Sequence, residues 1–208
     1  MTNLPSEEGY IKFQVHWASV PAWDAAKVAE LNHWRELMRR HGLIGAYPDG
    51  VGFGNISLRW EHSDRFLISG SATGHLPALD GSHYSLVTAV RIDTNELWCE
   101  GPALASSESM SHAAIYAECP WVGGVIHVHH LELWERLLHR VPTTGSEAAY
   151  GTPEMAYDIQ HLLRTTDLPR QRLFVMEGHR EGIFAFGANL EEAAERILRA
   201  LTSISIGN

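Results

Sequence analysis

The apolar run GGVIHVH at residues 123–129 constrains this 208-residue chain more than any other stretch. It reads as a buried strand. Residues two apart on a strand project to one face, so His127 and His129 point one way while Ile126 and Val128 pack behind them. Two neutral imidazoles on one face form half of a metal site, although a core or edge position with hydrogen-bond partners also accommodates them. The fold must therefore bury this strand and still bring partners to its imidazole face.

Two other residues favour the metal reading. Glu108 sits in the first turn of a predicted helix, and His179 lies in a glycine-flanked turn, Glu177-Gly178-His179. A glutamate with three histidines fills a tetrahedral zinc shell, or leaves room for substrate at a larger one. His130, next to the pair, faces the opposite way if the strand continues and is expected to be structural. The remaining nine of the 13 histidines carry no functional expectation.

Around this strand the pattern alternates. Residues 10–17, YIKFQVHW, read as a half-buried strand with Ile11, Phe13, Val15 and Trp17 on one face. A helix is predicted over residues 24–41, with Asp24 as N-cap, Val28, Leu31, Leu37 and Met38 as its apolar stripe, and Gly42 at the stop. Residues 51–92 look like short strands joined by Gly- and Ser-rich turns, and a second helix runs over about 107–119. Thr152 and Pro153 open a third helix, residues 173–177 and 183–186 read as strands, and a last helix starts at Asn189 with Glu192 in a capping-box position. The mixture implies one layered α/β or α+β domain over residues 1–208, without linkers.

Composition narrows the function classes. With 16 cationic and 25 anionic side chains the net charge is −9, which argues against a nucleic-acid or anionic membrane surface as the main partner. Only Lys12 and Lys27 are lysines, and both are far in sequence from Glu108 and the three histidines, so a Schiff-base enzyme or a P-loop is not expected. Carbonyl chemistry would then need a metal Lewis acid. The polar start MTNLPSEEGY is unlike a secretory leader, no apolar run reaches the roughly 18 residues of a membrane span, and Cys99 and Cys119 have no CxxC partner. A reducing cytoplasm is the expected compartment.

Three small-residue clusters form a second constellation: GNIS with Asn55, SGSATG with Thr73 and Gly74, and Ser106-Ser107 ahead of Glu108. Each offers hydroxyl, amide or backbone N–H donors without a positive charge, a set that can cradle a phosphate at a helix N-terminus. Singly, each also reads as an ordinary turn or cap.

In combination GNIS, SATG, SSE, HVH, GIFAFG and the NLEEA helix resemble the class II aldolase/adducin family over about residues 24–201. That group holds zinc-dependent fuculose- and rhamnulose-phosphate aldolases, ribulose-phosphate 4-epimerase and methylthioribulose-phosphate dehydratase. The resemblance implies a three-layer α/β/α sandwich, usually a homotetramer with active sites at subunit interfaces. It implies that His127, His129 and His179 bind Zn²⁺, or another divalent transition metal. Glu108 is implied as a carboxylate that binds the empty metal and serves as catalytic acid/base once substrate displaces it. Asn55, Thr73, Gly74, Ser106 and Ser107 fall where the family holds substrate phosphate. The implied activity is aldehyde-lyase cleavage of a small ketose phosphate through a zinc-stabilised enediolate, a step of carbohydrate metabolism.

Two departures stand out. The family commonly has a His-Gly pair at the late ligand, whereas His179 is followed by Arg180-Glu181-Gly182, a two-residue insertion. The tyrosine that such aldolases donate from a neighbouring subunit is not placed by any motif. Tyr150 is the nearest candidate and stays outside the catalytic set. A dehydratase, a decarboxylase, a 4-epimerase and a non-catalytic adducin-like scaffold remain alternatives; Glu rather than Asp at position 108 sets the epimerases back. A cupin, suggested by His127, His129 and Glu132, is disfavoured by short spacing and by several capped helices.

Overall fold

Side-chain alternation along one sheet divides the interior into two apolar layers. In the computed structural model, which describes residues 10–61 and 63–206, the chain begins with β1 (Gln14–Ala18) and α1 (Ala25–Arg40). A small hairpin follows, β2 (Gly45–Ala46) and β3 (Gly52–Phe53), then the meander β4 (Asn55–Arg59), β5 (Phe66–Ser69), β6 (Tyr84–Arg91) and β7 (Glu96–Glu100). Next come α2 (Ser109–Glu118), β8 (Gly124–His129) and the helices α3 (Leu131–Leu137), α4 (Pro153–Thr165) and α5 (Leu168–Gln171). The chain closes with β9 (Leu173–Val175), β10 (Gly182–Gly187) and α6 (Leu190–Ile206). Eight strands form one sheet in the order β1-β7-β6-β5-β4-β8-β10-β9, antiparallel except for the parallel edge pair of β1 with β7.

Every residue of β8 is buried. Val125 joins the layer containing Met110 and Tyr116 of α2, Met155 and Ile159 of α4, and Phe184. Ile126 and Val128 join the opposite layer, with Val28 and Leu31 of α1 and Ala193 and Ile197 of α6. The result is the expected three-layer α/β/α arrangement. Each fully buried aliphatic or aromatic side chain contributes about 1.5–3 kcal/mol, so these layers are the main counterweight to chain entropy. Among the described residues no helix is long and apolar enough to cross a membrane.

Local chemistry shifts several predicted boundaries. The N-terminal strand occupies Gln14–Ala18, and Tyr10–Phe13 run ahead of it without ladder bonds. Asp24 stands at the N-cap of α1 without a side-chain cap bond, while Gly42 takes the left-handed conformation, φ 69°, just past its end. At α4, Thr152 Oγ1 accepts from the Met155 N–H at 3.4 Å with Pro153 in the first turn. At α6 the predicted capping box is half formed. Asn189 Oδ1 accepts from the Glu192 N–H, but the Glu192 carboxylate turns to the Ala188 N–H and to Arg172. His130 does not continue the strand. Its Nδ1 accepts from the Leu133 N–H at 3.1 Å and caps α3, a helix absent from the sequence expectation.

One buried charge ties the helix layer to the Gly- and Ser-rich turns. Arg35, on the inner face of α1 and 2% exposed, donates through Nη2 to the carbonyls of Thr73 at 2.9 Å, Gly74 at 3.2 Å and Leu76 at 2.9 Å. Burial lowers its pKa, and these three acceptors compensate for lost water. Above the turn, the β2–β3 hairpin sits directly on Gly74; a Cβ there would fall 2.4 Å from the Gly45 oxygen. Only glycine fits under the hairpin.

Arg35→Met keeps the apolar stem but strips donors from buried carbonyls, and an unsatisfied buried polar group costs about 1–3 kcal/mol. The urea midpoint should fall by the equivalent of at least about 3 kcal/mol at constant m-value. A loss below about 1 kcal/mol would mean that the turn finds other donors.

Candidate metal centre

Three strands fix the centre by register. Asn55 of β4 pairs with His127 of β8, which puts their side chains on one face of the sheet, and Gly182 of β10 pairs with His129 without adding a side chain of its own. His127 and His129 project into the layer of α2 and α4 and are essentially buried. His179 reaches them from the turn between β9 and β10, which closes through Met176 N–H to Gly182 O at 3.0 Å and Gly182 N–H to His179 O at 3.0 Å. A Cβ on Gly182 would come within 3.2 Å of both His127 Cε1 and His179 Nδ1, so glycine leaves the space that the rings occupy. One ring nitrogen from each histidine lies within 4.8 Å of the others.

Hydrogen bonds set the tautomers. His127 Nδ1–H donates to the Ile183 carbonyl at 3.2 Å. His129 Nδ1 lies 2.8 Å from the Tyr47 hydroxyl, whose own proton goes to Glu181 Oε2 at 3.0 Å, so Nδ1 is the donor there as well. Both Nε2 lone pairs are thereby turned inward, 3.0 Å apart. Burial, reinforced by the neighbouring His129 and His179, pushes the His127 pKa well below its usual value and keeps the ring neutral, as a metal ligand must be.

Glu108 completes the set from the N-cap of α2. It is fully buried, with Oε1 3.0 Å from His179 Nδ1 and 3.8 Å from His127 Nε2, while Ser111 Oγ donates to Oε2 at 3.0 Å. Oε1 has no hydrogen-bond partner although it is buried. A buried carboxylate beside inward-facing imidazole lone pairs is costly without a cation and well matched to a divalent one. The residues present therefore fit a metal ion.

The predicted anion-binding residues gather beside this centre. An isolated antiparallel bridge between Gly70 and Ala105, with Ser71 N–H to Leu104 O at 2.9 Å, ties the segment that leads into the Thr73–Gly74 turn to the segment that leads into Ser106 and Ser107. Ser106 Oγ accepts from the Glu108 N–H at 3.2 Å, leaving its own proton to donate. Thr73 Oγ1 donates to Gly70 O at 2.8 Å, so its hydroxyl proton is already used. The turn is also less neutral than its composition implied, because the Arg35 guanidinium stands directly behind it.

Behind Asn55 runs a relay that the sequence motifs do not reveal. His112 Nε2–H donates to Asn55 Oδ1 at 2.6 Å, His112 Nδ1 accepts from Ser57 Oγ at 2.7 Å, and Ser57 Oγ accepts from the Tyr116 hydroxyl at 2.9 Å. Burial pushes the His112 pKa down to about 3, which suits the neutral ring this chain of bonds requires. The i, i+4 spacing of Glu108 and His112 on one helix was the available signal. Tyr47, Glu181 and Arg35 offered no such signal. Sequence separation also misplaced Lys12: its Nζ lies 3.9 Å over the Tyr150 ring, itself 4.7 Å from the His179 ring. Distance along the chain therefore does not keep Lys12 from the centre. Tyr150 Oη accepts from the Tyr10 N–H at 3.3 Å.

Comparison with known proteins agrees with this architecture. The family described as the class II aldolase and adducin N-terminal domain matches residues 49–206. An L-fuculose 1-phosphate aldolase structure superposes with TM-score 0.63 at 20% identity, covering 89% of this chain and 88% of that one. A sugar-phosphate aldolase from Thermotoga maritima gives 0.62 at 17% identity, with 88% and 97% covered. An aldolase II superfamily protein from Pseudomonas syringae gives 0.60 at 18%, with 90% and 77% covered. At these identities the solved structures establish a shared fold.

The His112 relay carries a pH signature. Its folded pKa of about 3 lies below the unfolded value of 6.5, so as pH falls the unfolded chain takes up the proton first. The stabilisation is fully present above about pH 6.5 and is lost progressively toward pH 3. Between pH 7 and pH 4.5, metal-free His112→Gln should lose about 2–3 kcal/mol less stability than metal-free wild type in urea titrations. Equal losses would show that His112 charges within the folded protein.

Proposed function

Because the chain belongs to the class II aldolase and adducin N-terminal domain family, and is an aldolase-type enzyme, we propose that it cleaves or forms a carbon–carbon bond of a small ketose phosphate. The observation that carries this reading is the buried Glu108 Oε1 set against His127 and His179 on the imidazole face of the sheet. A divalent metal ion held by His127, His129 and His179, zinc in our reading, supplies a Lewis acid for a substrate carbonyl and for the negative charge that develops beside it.

The chain's own residues do the rest. Ser111 on Oε2 keeps the Glu108 carboxylate turned so that Oε1 faces the centre, where it takes a proton from a substrate hydroxyl and returns one to carbon. Asn55, its amide oriented by His112, contributes NH2 donors to the non-reacting phosphate. Ser106, Ser107 and the backbone of Thr73 and Gly74 contribute others, with the N-terminus of α2 adding a favourable dipole. Holding the phosphate end fixes the reacting end in place, which is where orientation enters the rate. Phe53 stacked on His129 and Phe184 stacked on His127 exclude water from the ligand rings.

We read the working form as a homotetramer built from one domain per chain. Cytoplasmic residence accords with the two free cysteines, Cys99 and Cys119. A dehydratase or 4-epimerase on the same donor set would show itself by its product.

Elemental analysis of purified protein should find bound zinc that His127→Ala and His129→Ala lose. Glu108→Gln should fold normally yet lower turnover by about 10²–10⁴-fold on whichever ketose phosphate a screen with zinc, cobalt and manganese forms identifies. Wild type that retains no divalent metal would overturn the assignment, as would full activity in Glu108→Gln.

A further inference from the structure

The insertion Arg180-Glu181 has a physical role that the proposed chemistry does not use. Glu181 holds φ 73°, a conformation that costs a non-glycine residue of order 1 kcal/mol. Its carbonyl accepts from the His130 N–H at 3.1 Å, which pins the inserted backbone to the end of β8, one residue past His129. The strain is offset by anchoring at a single place, beside a metal ligand.

The second half arrives from the other direction. Tyr47 lies at the mouth of the β2–β3 hairpin, closed by Tyr47 N–H to Val51 O and Gly50 N–H to Tyr47 O, both 2.9 Å. Its ring packs on Phe53, centroids 4.7 Å apart, and Phe53 stacks on His129 at 5.4 Å and 24°. The hairpin thus delivers the hydroxyl to His129 Nδ1 at 2.8 Å while the inserted turn delivers Glu181 Oε2 to the same hydroxyl at 3.0 Å.

A phenol has one proton to give. An ionised carboxylate can only accept, so the Tyr47 proton goes to Glu181 and the Tyr47 oxygen receives Nδ1–H from His129. The order of donation is fixed along the chain His129 to Tyr47 to Glu181, and it leaves Nε2 as the only ligand atom His129 can present.

We propose that Tyr47 and Glu181 are positioning residues that hold His129 in its metal-binding tautomer and orientation and thereby set the affinity of the centre for its metal. The inference rests on the metal reading of the three histidines and adds to it two residues that the proposed chemistry does not use. Partners of a ligand's outer nitrogen raise its basicity and hold its ring, and losing one typically costs about 10–100-fold in metal affinity.

The test is zinc affinity of the full-length chain, measured by competition with a chromophoric chelator, with nitrogen-15 NMR of the His129 ring in metal-free protein. Tyr47→Phe keeps the ring packing on Phe53 and removes only the hydroxyl. It should weaken zinc binding about 10–100-fold and release His129 to the Nε2–H tautomer, without lowering the melting temperature of metal-free protein. Glu181→Ala should do the same, and Glu181→Gln, which keeps an acceptor for the Tyr47 proton, should retain most of the affinity. Wild-type affinity in Tyr47→Phe, or an Nε2–H tautomer already present in wild type, overturns the proposal. A drop in melting temperature with unchanged affinity also overturns it, since that marks a purely structural contact. Should Tyr47→Phe fail to fold, the Glu181→Ala and Glu181→Gln pair decides. A wild type that binds no metal would sink the proposed function, and the tautomer measurement would still judge the relay separately.

Discussion

Two imidazoles in the middle of a hydrophobic sheet are tolerable only because each has its outer nitrogen paired. His127 hands its Nδ1 proton to the Ile183 carbonyl of the adjacent strand, and His129 hands its own to Tyr47. With those protons committed, the inner nitrogens carry lone pairs and a buried carboxylate can be set against them. The strand pairing of β8 with β4 and β10, the wedge of His179 and the placement of α2 all serve that one arrangement. Without the outer bonds, the histidines would be buried polar groups of uncertain tautomer in a core that penalises both.

A second buried charge supports the other side of the site. Arg35 reaches from α1 to gather three carbonyls of the turn that carries Thr73 and Gly74. In a trans peptide the N–H points away from the C=O, so drawing the Thr73 carbonyl toward the helix directs the Gly74 N–H away from it. The Thr73–Gly74 turn is therefore shaped from below by a buried cation.

Much of this is legible in the sequence. The strand at β8 is readable because burial on both faces produces an unbroken apolar run. Its histidines stand out against that run. His179 is readable from its glycine-flanked turn and Glu108 from its place at a helix start. Two local expectations give way to other partners: Arg172 takes the Glu192 carboxylate away from the expected capping box, and His130 leaves the strand to cap α3 through the Leu133 N–H. The roles that no pattern marks are those that exist only through topology, even where, as at Glu181, the residue itself stands out as part of an insertion. Tyr47 and Glu181 are 134 positions apart, and Arg35 meets its turn across 38 to 41 positions, separations over which composition and periodicity carry no information. Lys12 shows the converse error, a residue set aside by distance along the chain that folding returns to the neighbourhood of His179.

The register of β8 has a consequence for how such a centre is assembled. His127 and His129 alternate with Ile126 and Val128, and the two sets face different layers. A slip of one residue against β4 or β10 would exchange them, driving imidazoles into an aliphatic layer and aliphatic side chains among Glu108 and His179. Burial of Ile126 and Val128 thus proofreads the ligand geometry during folding. A chain that pairs β8 in its stable register has, by the same pairing, already set His127 and His129 on one face, ready to receive Glu108 and His179.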